Sequence, residues 1–318
     1  MNVTEMPSYD VVIVGAGLAG LTAALFAVRH GHSTLVLESF VPGGHLVNIG
    51  KIEDFPGFPT GVAGYELCPS VQEQAANQGA EFRMAEVRDV EAQDPYWVII
   101  ANEGRYRAKG LIIAAGSHAK KLGVVGETKF RGKGVSHCAS CDGPLFRDRT
   151  VGVVGGGDSA LQEALTLADY ASQVILFHRR EAFTAQHIFQ KRVLGHSKIA
   201  VRYNVAVEEI LGDGGVSGVR ACDLATGQQT QVELAGLFIY VGLEPNTKFL
   251  NGVVPLDSDG RIPTDVWMRT ERPGVFAAGD IRRDSPAQAI TSAGDGAVAA
   301  IAAHHYIKQR AWPDPALT

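Results

Sequence analysis

The chain has 318 residues and a mass of 33.8 kDa, which at the usual ~150 residues per domain points to two domains. It is 46% hydrophobic and 20% charged, and 34 acids against 29 bases give a net charge of −5, which excludes a disordered or collagen-like chain and leaves no positive footprint for nucleic acid. No apolar run reaches the ~18–20 residues of a membrane span, the polar start is not a signal peptide, and four cysteines are too few to staple a secreted scaffold, so a cytoplasmic protein without nucleic-acid or membrane partners is expected.

In chain order, residues 10–14 make a short apolar strand that runs into a glycine-rich turn and a helix over 21–30. A second apolar strand at 33–37 completes a βαβ unit of about the expected ~30 residues. Residues 87–108 read as short alternating strands broken at Asp94-Pro95 and at Asn102-Glu103-Gly104, the pattern of an antiparallel meander. The apolar run 111–115, ending at Gly116, can return the chain to a parallel sheet. The first pattern then repeats: strand 150–154, glycine turn, helix, and strand 173–177, with Gly155 lying 140 positions after Gly15 (155 − 15). Residues 199–234 resemble the earlier meander, and 237–241 are a further apolar strand ending at Gly242. A strand at 275–280 ends on Gly279-Asp280, and Pro286 then stands near the first turn of an alanine-rich helix running to 309.

Gly15-x-Gly17-x-x-Gly20 is a complete dinucleotide fingerprint: one glycine for the tight turn, one for approach of the pyrophosphate, one for helix–strand contact. Glu38, 23 residues after Gly15 (38 − 15), ends the second strand, where a carboxylate accepts hydrogen bonds from ribose hydroxyls. The second copy, Gly155-Gly156-Gly157-Asp158-Ser159-Ala160, closes on alanine. There His178 occupies the same spacing (178 − 155) and Arg179 and Arg180 follow, so cations replace the acid. A 2′-phosphate would be repelled by a carboxylate at that place and paired by a guanidinium fork, so copy one suits FAD or NAD and copy two NADP.

Cys138-Ala139-Ser140-Cys141 lies just before the second fingerprint. Zinc needs about four ligands, and only His137 stands nearby. A structural disulfide is disfavoured in a reducing compartment, whereas a redox-active dithiol suits the spacing best. Asp142, next in sequence, could carry the proton that thiolate exchange requires. Cys68 and Cys222 stand alone and are read as structural. Two nucleotide cradles and a dithiol together describe a hydride donor, a flavin and a disulfide acceptor.

These motifs, with Gly43-Gly44-His45-Leu46, Ala277-Ala278-Gly279-Asp280 and Gln288 to Gly294, resemble the low-molecular-weight bacterial thioredoxin reductases over nearly the whole chain. The resemblance implies an α/β fold of two Rossmann-like three-layer domains: a discontinuous FAD domain, 1–117 and 247–318, with an NAD(P)H domain, 118–246, inserted in it. It also implies a homodimer, FAD and NADPH as cofactors, and thioredoxin or a thioredoxin-like protein as partner. By the same resemblance Gly15, Gly17 and Gly20 hold the FAD pyrophosphate and Glu38 its adenosine ribose, and Gly44 and His45 lie near the flavin. Gly279 and Asp280 meet the ribityl chain, and Gln288 and Ala289 the pyrimidine ring. Gly155, Gly157, Asp158, Ser159, His178, Arg179 and Arg180 bind NADPH. Cys138 attacks the partner disulfide, Cys141 faces the flavin and Asp142 is the acid. Three positions depart from the family: Thr184 stands where a further arginine is common, Ala287 replaces an arginine and His45 a glutamine, so NADH use is open. A flavin dithiol oxidase using oxygen, a nucleotide-sensing zinc module and a ferredoxin-type NADP reductase are the alternatives.

Overall fold

The computed structural model describes residues 6–309 and residue 312; the remaining terminal residues of the expected first domain lie outside them. The chain divides into two compact units, Met1–His118 with Glu244–Thr318, and Ala119–Leu243. The sequence expectation had put the crossings at 117/118 and 246/247.

The first unit is built on β1 (Ser8–Val14), whose β-branched run is buried on both sheet faces and so carries no alternation. It enters α1 (Leu18–Arg29) and returns through β2 (Thr34–Glu38) parallel to β1. The helix thus starts three residues earlier than expected, directly on the glycine turn. After α2 (Gly64–Ala76) come β3 (Glu81–Met84), β4 (Val87–Gln93), β5 (Tyr96–Ala101) and β6 (Gly104–Ile113). The sheet order is β3-β2-β1-β6-β5-β4. Strand β6 serves two purposes, pairing antiparallel with β5 over residues 104–108 and parallel with β1 over residues 107–113. The short β7 (Ser117–Ala119) follows.

The second unit opens with β8 (Val135–Ser136) and the single turn α3 (Ala139–Asp142). Then come β9 (Thr150–Gly155), α4 (Asp158–Ala168), β10 (Gln173–His178), α5 (His187–Leu194) and β11 (Ile199–Tyr203). Strands β12 (Val205–Gly212), β13 (Val216–Asp223) and β14 (Gln229–Glu233) form a separate antiparallel sheet, and β15 (Gly236–Tyr240) completes the parallel order β11-β10-β9-β15-β8. Here the structure corrects the meander expected over 199–234. Residues 199–203 pair parallel with β10, because α5 precedes them and makes them the third strand of a βαβ crossover. With only Phe189 and Val193 buried, α5 has little periodic signal in sequence.

The chain returns through β16 (Leu243–Pro245), paired with β7, and β17 (Val275–Ala277), which joins β6, to α6 (Ala289–Gln309). Pro286 therefore precedes the helix by three residues. Alanine favours the helical state and its small side chain lets α6 lie close on α1: a Cβ on Gly296 would stand 2.1 Å from the Ala19 carbonyl oxygen. Among the described residues no helix is long and apolar enough to cross a membrane.

Overpacking of that contact gives a test with an internal control. Gly296→Ala should lower the unfolding free energy by about 1–3 kcal/mol. Gly294→Ala, on an exposed face where nothing lies within 4 Å, should raise it by roughly 0.5–1 kcal/mol. Denaturant midpoints that fail to separate the two variants would mean that α1 and α6 are not in close contact.

Candidate functional site

In the first unit the glycine turn is shaped by sterics. Gly15 has φ +101°, and a Cβ there would meet the Ala114 carbonyl oxygen at 2.3 Å; one on Gly20 would meet the Gly15 carbonyl oxygen at 1.9 Å. Gly17, by contrast, has nothing within 4 Å of a would-be Cβ, and no side chain caps the helix that starts after it. The first-turn N–H groups of α1 thus present an open, partially positive surface. Glu38 ends β2 and braces this turn, its Oε2 accepting from the Ala16 N–H at 2.7 Å and its Oε1 from the Phe40 N–H at 2.9 Å. Gly44, in a left-handed conformation, brings its backbone against Gly17, and His45 Nε2 donates to the Ser117 carbonyl at 2.6 Å. The Ser117 hydroxyl is buried without a partner.

Asp280 follows β17 and accepts from the Ser292 hydroxyl at 3.2 Å; burial holds its carboxyl above the usual carboxylate range. Gln288 and Ala289 lie at the start of α6, where the Gln288 carbonyl accepts the Ser292 N–H, and Ala287 has a positive φ of 55°. An uncapped helix, an open glycine face, a braced acid and a desolvated aspartate fit a dinucleotide with a hydroxylated chain.

The second unit repeats the cradle. Gly157 precedes α4 without a side-chain cap, and a Cβ there would come no nearer than 3.9 Å to Thr184 Oγ1. The loop after β10 lies over the turn. Thr184 donates its N–H and hydroxyl to the Gly156 carbonyl at 2.9 and 3.3 Å, and the Gln186 N–H donates to Asp158 at 2.7 Å. Ser159, Arg179 and Arg180 are exposed. His178 differs from them: it is buried, with Nδ1 at 3.1 Å from the Gly155 carbonyl and Nε2 at 2.9 Å from that of Ala182. Its ring fills the space that a Cβ on Gly156 would need, at 2.2 Å. It therefore supports the turn, and the two arginines are the cations that reach solvent.

Cys138 and Cys141 are joined in a disulfide with 5.3 Å between Cα atoms. Cys138 is half-buried at the start of α3 and its Sγ accepts the Cys141 N–H at 3.2 Å, while Cys141 is exposed. Ser136 steadies the approach, its hydroxyl accepting the Cys138 N–H at 3.1 Å. His137, the one neighbour available to the zinc alternative, donates Nδ1–H to the Ile239 carbonyl at 2.9 Å. Cys68 is buried and its thiol is pushed up to about 11 by desolvation, so it stays protonated.

Two groups escaped the sequence reading. Arg282 makes a paired contact with Asp295 at 2.7 and 3.1 Å, and Asp295 also accepts the Gly279 N–H, so α6 fixes the turn before Asp280. Nothing in the spacing of 282 and 295 signals this. Glu163 accepts the Ala139 N–H at 3.1 Å and the Tyr240 hydroxyl at 3.5 Å. Its signal was available: it shares the stripe of buried Ala160, Ala164 and Leu167 on α4, where an acid is out of place.

Residues 9–296 match the family model described as pyridine nucleotide-disulphide oxidoreductase. The chain is 41% identical over 307 residues to a thioredoxin reductase of Listeria monocytogenes, covering 96% of each chain. The crystal structure of Lactococcus lactis thioredoxin reductase is similar with a TM-score of 0.93 at 39% identity, covering 95% of this chain and 99% of that one. The crystal structure of T. acidophilum thioredoxin reductase gives 0.90 at 38% identity, covering 93% of this chain and 98% of that one. With its paired cysteines and two nucleotide turns, this flavin- and pyridine-nucleotide-type chain belongs to the thioredoxin reductase family of pyridine nucleotide-disulphide oxidoreductases.

Proposed function

We propose that the protein carries electrons from NADPH to thioredoxin or a thioredoxin-like protein, with FAD bound by the first unit and NADPH by the second. The observation that carries the reading is a closed Cys138–Cys141 disulfide on the same unit as an uncapped nucleotide-type helix. When bound, FAD supplies the two-electron relay between a nicotinamide and a disulfide. Gly15, Gly17 and Gly20 would hold its pyrophosphate and Glu38 its adenosine ribose, with Gly44, His45, Gly279, Asp280, Gln288 and Ala289 toward the flavin. Gly155, Gly157, Asp158 and Ser159 would hold the NADPH pyrophosphate side, and Arg179 and Arg180 the 2′-phosphate. His178 would act by shaping the turn.

With the pair reduced, Cys138 as thiolate attacks one sulfur of the partner's disulfide, forming a mixed disulfide and releasing the partner's other sulfur. Cys141 then attacks Cys138, closing the 138–141 bond and freeing the partner's second sulfur. Two protons follow the two electrons onto the partner, and Asp142, beside Cys141, is placed in sequence to move one of them. A homodimer in the cytoplasm is part of the same proposal, testable by sedimentation and fractionation.

Cys138→Ser should keep NADPH-driven bleaching of the flavin under anaerobic conditions and lose reduction of thioredoxin; retained thioredoxin reduction would remove Cys138 from the reaction. Arg179→Ala should raise KM for NADPH by roughly 10- to 150-fold, the equivalent of a charge-assisted hydrogen bond of ~1.5–3 kcal/mol, and leave KM for NADH nearly unchanged. Equal effects on both nucleotides would show that Arg179 does not read the phosphate.

A further inference from the structure

Opening a disulfide creates negative charge, so any fixed charge beside the sulfurs bears on how readily it opens. Asp142 and Glu163 are the acids of α3 and α4 nearest the pair. Glu163 stands on the buried stripe of α4 and reaches the backbone of the cysteine turn itself: the N–H that it binds belongs to Ala139, fully buried and next in sequence to Cys138. Its second donor, the Tyr240 hydroxyl, comes from the end of β15. Burial raises both the Glu163 carboxyl and the Tyr240 phenol above their ordinary ranges. Among the described residues the other titratable groups around this point include Asp142, whose charge acts on Tyr240, His137, which is turned to the Ile239 carbonyl, and Tyr170, whose ring lies against Gly143 at the end of the turn.

We propose that Glu163 is a positioning residue of the dithiol, a half-buried acid that shares one negative charge with the Cys138–Cys141 pair and so sets the pair's reduction potential. The inference rests on the proposed function, in which this pair cycles. In the oxidised pair the sulfurs are neutral and Glu163 can hold a charge alone, supported by the Ala139 N–H and the Tyr240 hydroxyl. Reduction adds two electrons to the S–S bond and, at full protonation, two protons to the sulfurs. A carboxylate one peptide from Cys138 disfavours a thiolate there, because like charges in a poorly solvated site oppose each other. The carboxyl and the dithiol therefore titrate as one coupled group. Removing the carboxylate charge favours the thiolate, and with it the reduced state, so the pair becomes more oxidising.

A purely structural role would need only the hydrogen bond to Ala139, which an amide oxygen also accepts. Glu163→Gln separates the two roles. The holoenzyme is equilibrated anaerobically in dithiothreitol buffers, in which one dithiothreitol dithiol is oxidised for each protein disulfide opened. Acid quenching, alkylation and peptide mass measurement then give the oxidised fraction of Cys138–Cys141. Glu163→Gln should shift the equilibrium toward the protein dithiol on the order of tenfold, about 30 mV, and lower by about one unit the pH at which the reduced pair alkylates at half its maximal rate. Tyr240→Phe, which keeps the acid and removes one donor, should move both readings in the same direction by less, and decides the matter if the glutamine variant does not fold. Unchanged equilibrium and unchanged pH profile in the folded variant would leave Glu163 a structural anchor and overturn the proposal. A wild-type pair that stays closed in every buffer would instead overturn the proposed function on which it rests.

Discussion

The whole architecture turns on a steric limit met twice: a strand must pass into a helix through a turn that has no room for a side chain. In the first unit the Gly15 and Gly20 backbones lie against carbonyl oxygens at distances that a methyl group could not share. In the second, Gly155 is confined by the Tyr240 carbonyl and Gly156 by the His178 ring. This close fit keeps each helix end uncapped by side chains and leaves its amide groups to a ligand. Relaxing either turn would move the strand ends that carry Glu38 and Arg179.

Around those shared turns the chemistry diverges through a few side chains. Glu38 is drawn in to brace its loop through Ala16 and Phe40. At the matching place in the second unit a buried imidazole takes over the bracing and leaves two arginines at the surface. Under the proposed function, one fold position would suit a hydroxylated ribose in one unit and a phosphorylated ribose in the other, because the bracing group and the solvent-facing cations are separated in the second. The sulfur pair stands on the second unit in a short turn held from below by Glu163, so its redox behaviour depends on the packing of α3 against α4 as well as on its spacing.

Much of this was legible in the residues. Strands β1, β9 and β15 are apolar runs next to glycine, and β2 and β10 are the apolar runs that follow the helices of the two βαβ units, so local pattern and tertiary role agree. The meander of β4 to β6 showed in its turn residues. Strand β11 was assigned to the wrong kind of sheet because α5 offers just two buried side chains and too little periodicity to announce a crossover. His178 was placed on the ligand side by its spacing, since spacing gives position along a strand end but not the direction in which a ring is turned.

By itself the sequence determined the two βαβ repeats, the glycine turns and the pairing of Cys138 with Cys141, because each is a short-range pattern whose geometry is fixed by steric rules within a few residues. Only the tertiary structure decided that His178 faces inward, that Asp295 and Arg282 hold the Gly279 turn, and that Glu163 reaches Ala139. Apart from the His178–Ala182 contact, four positions apart, these contacts join residues 13 or more positions apart, and their partners are chosen by packing and by the need of buried polar groups for hydrogen bonds, which no local pattern records.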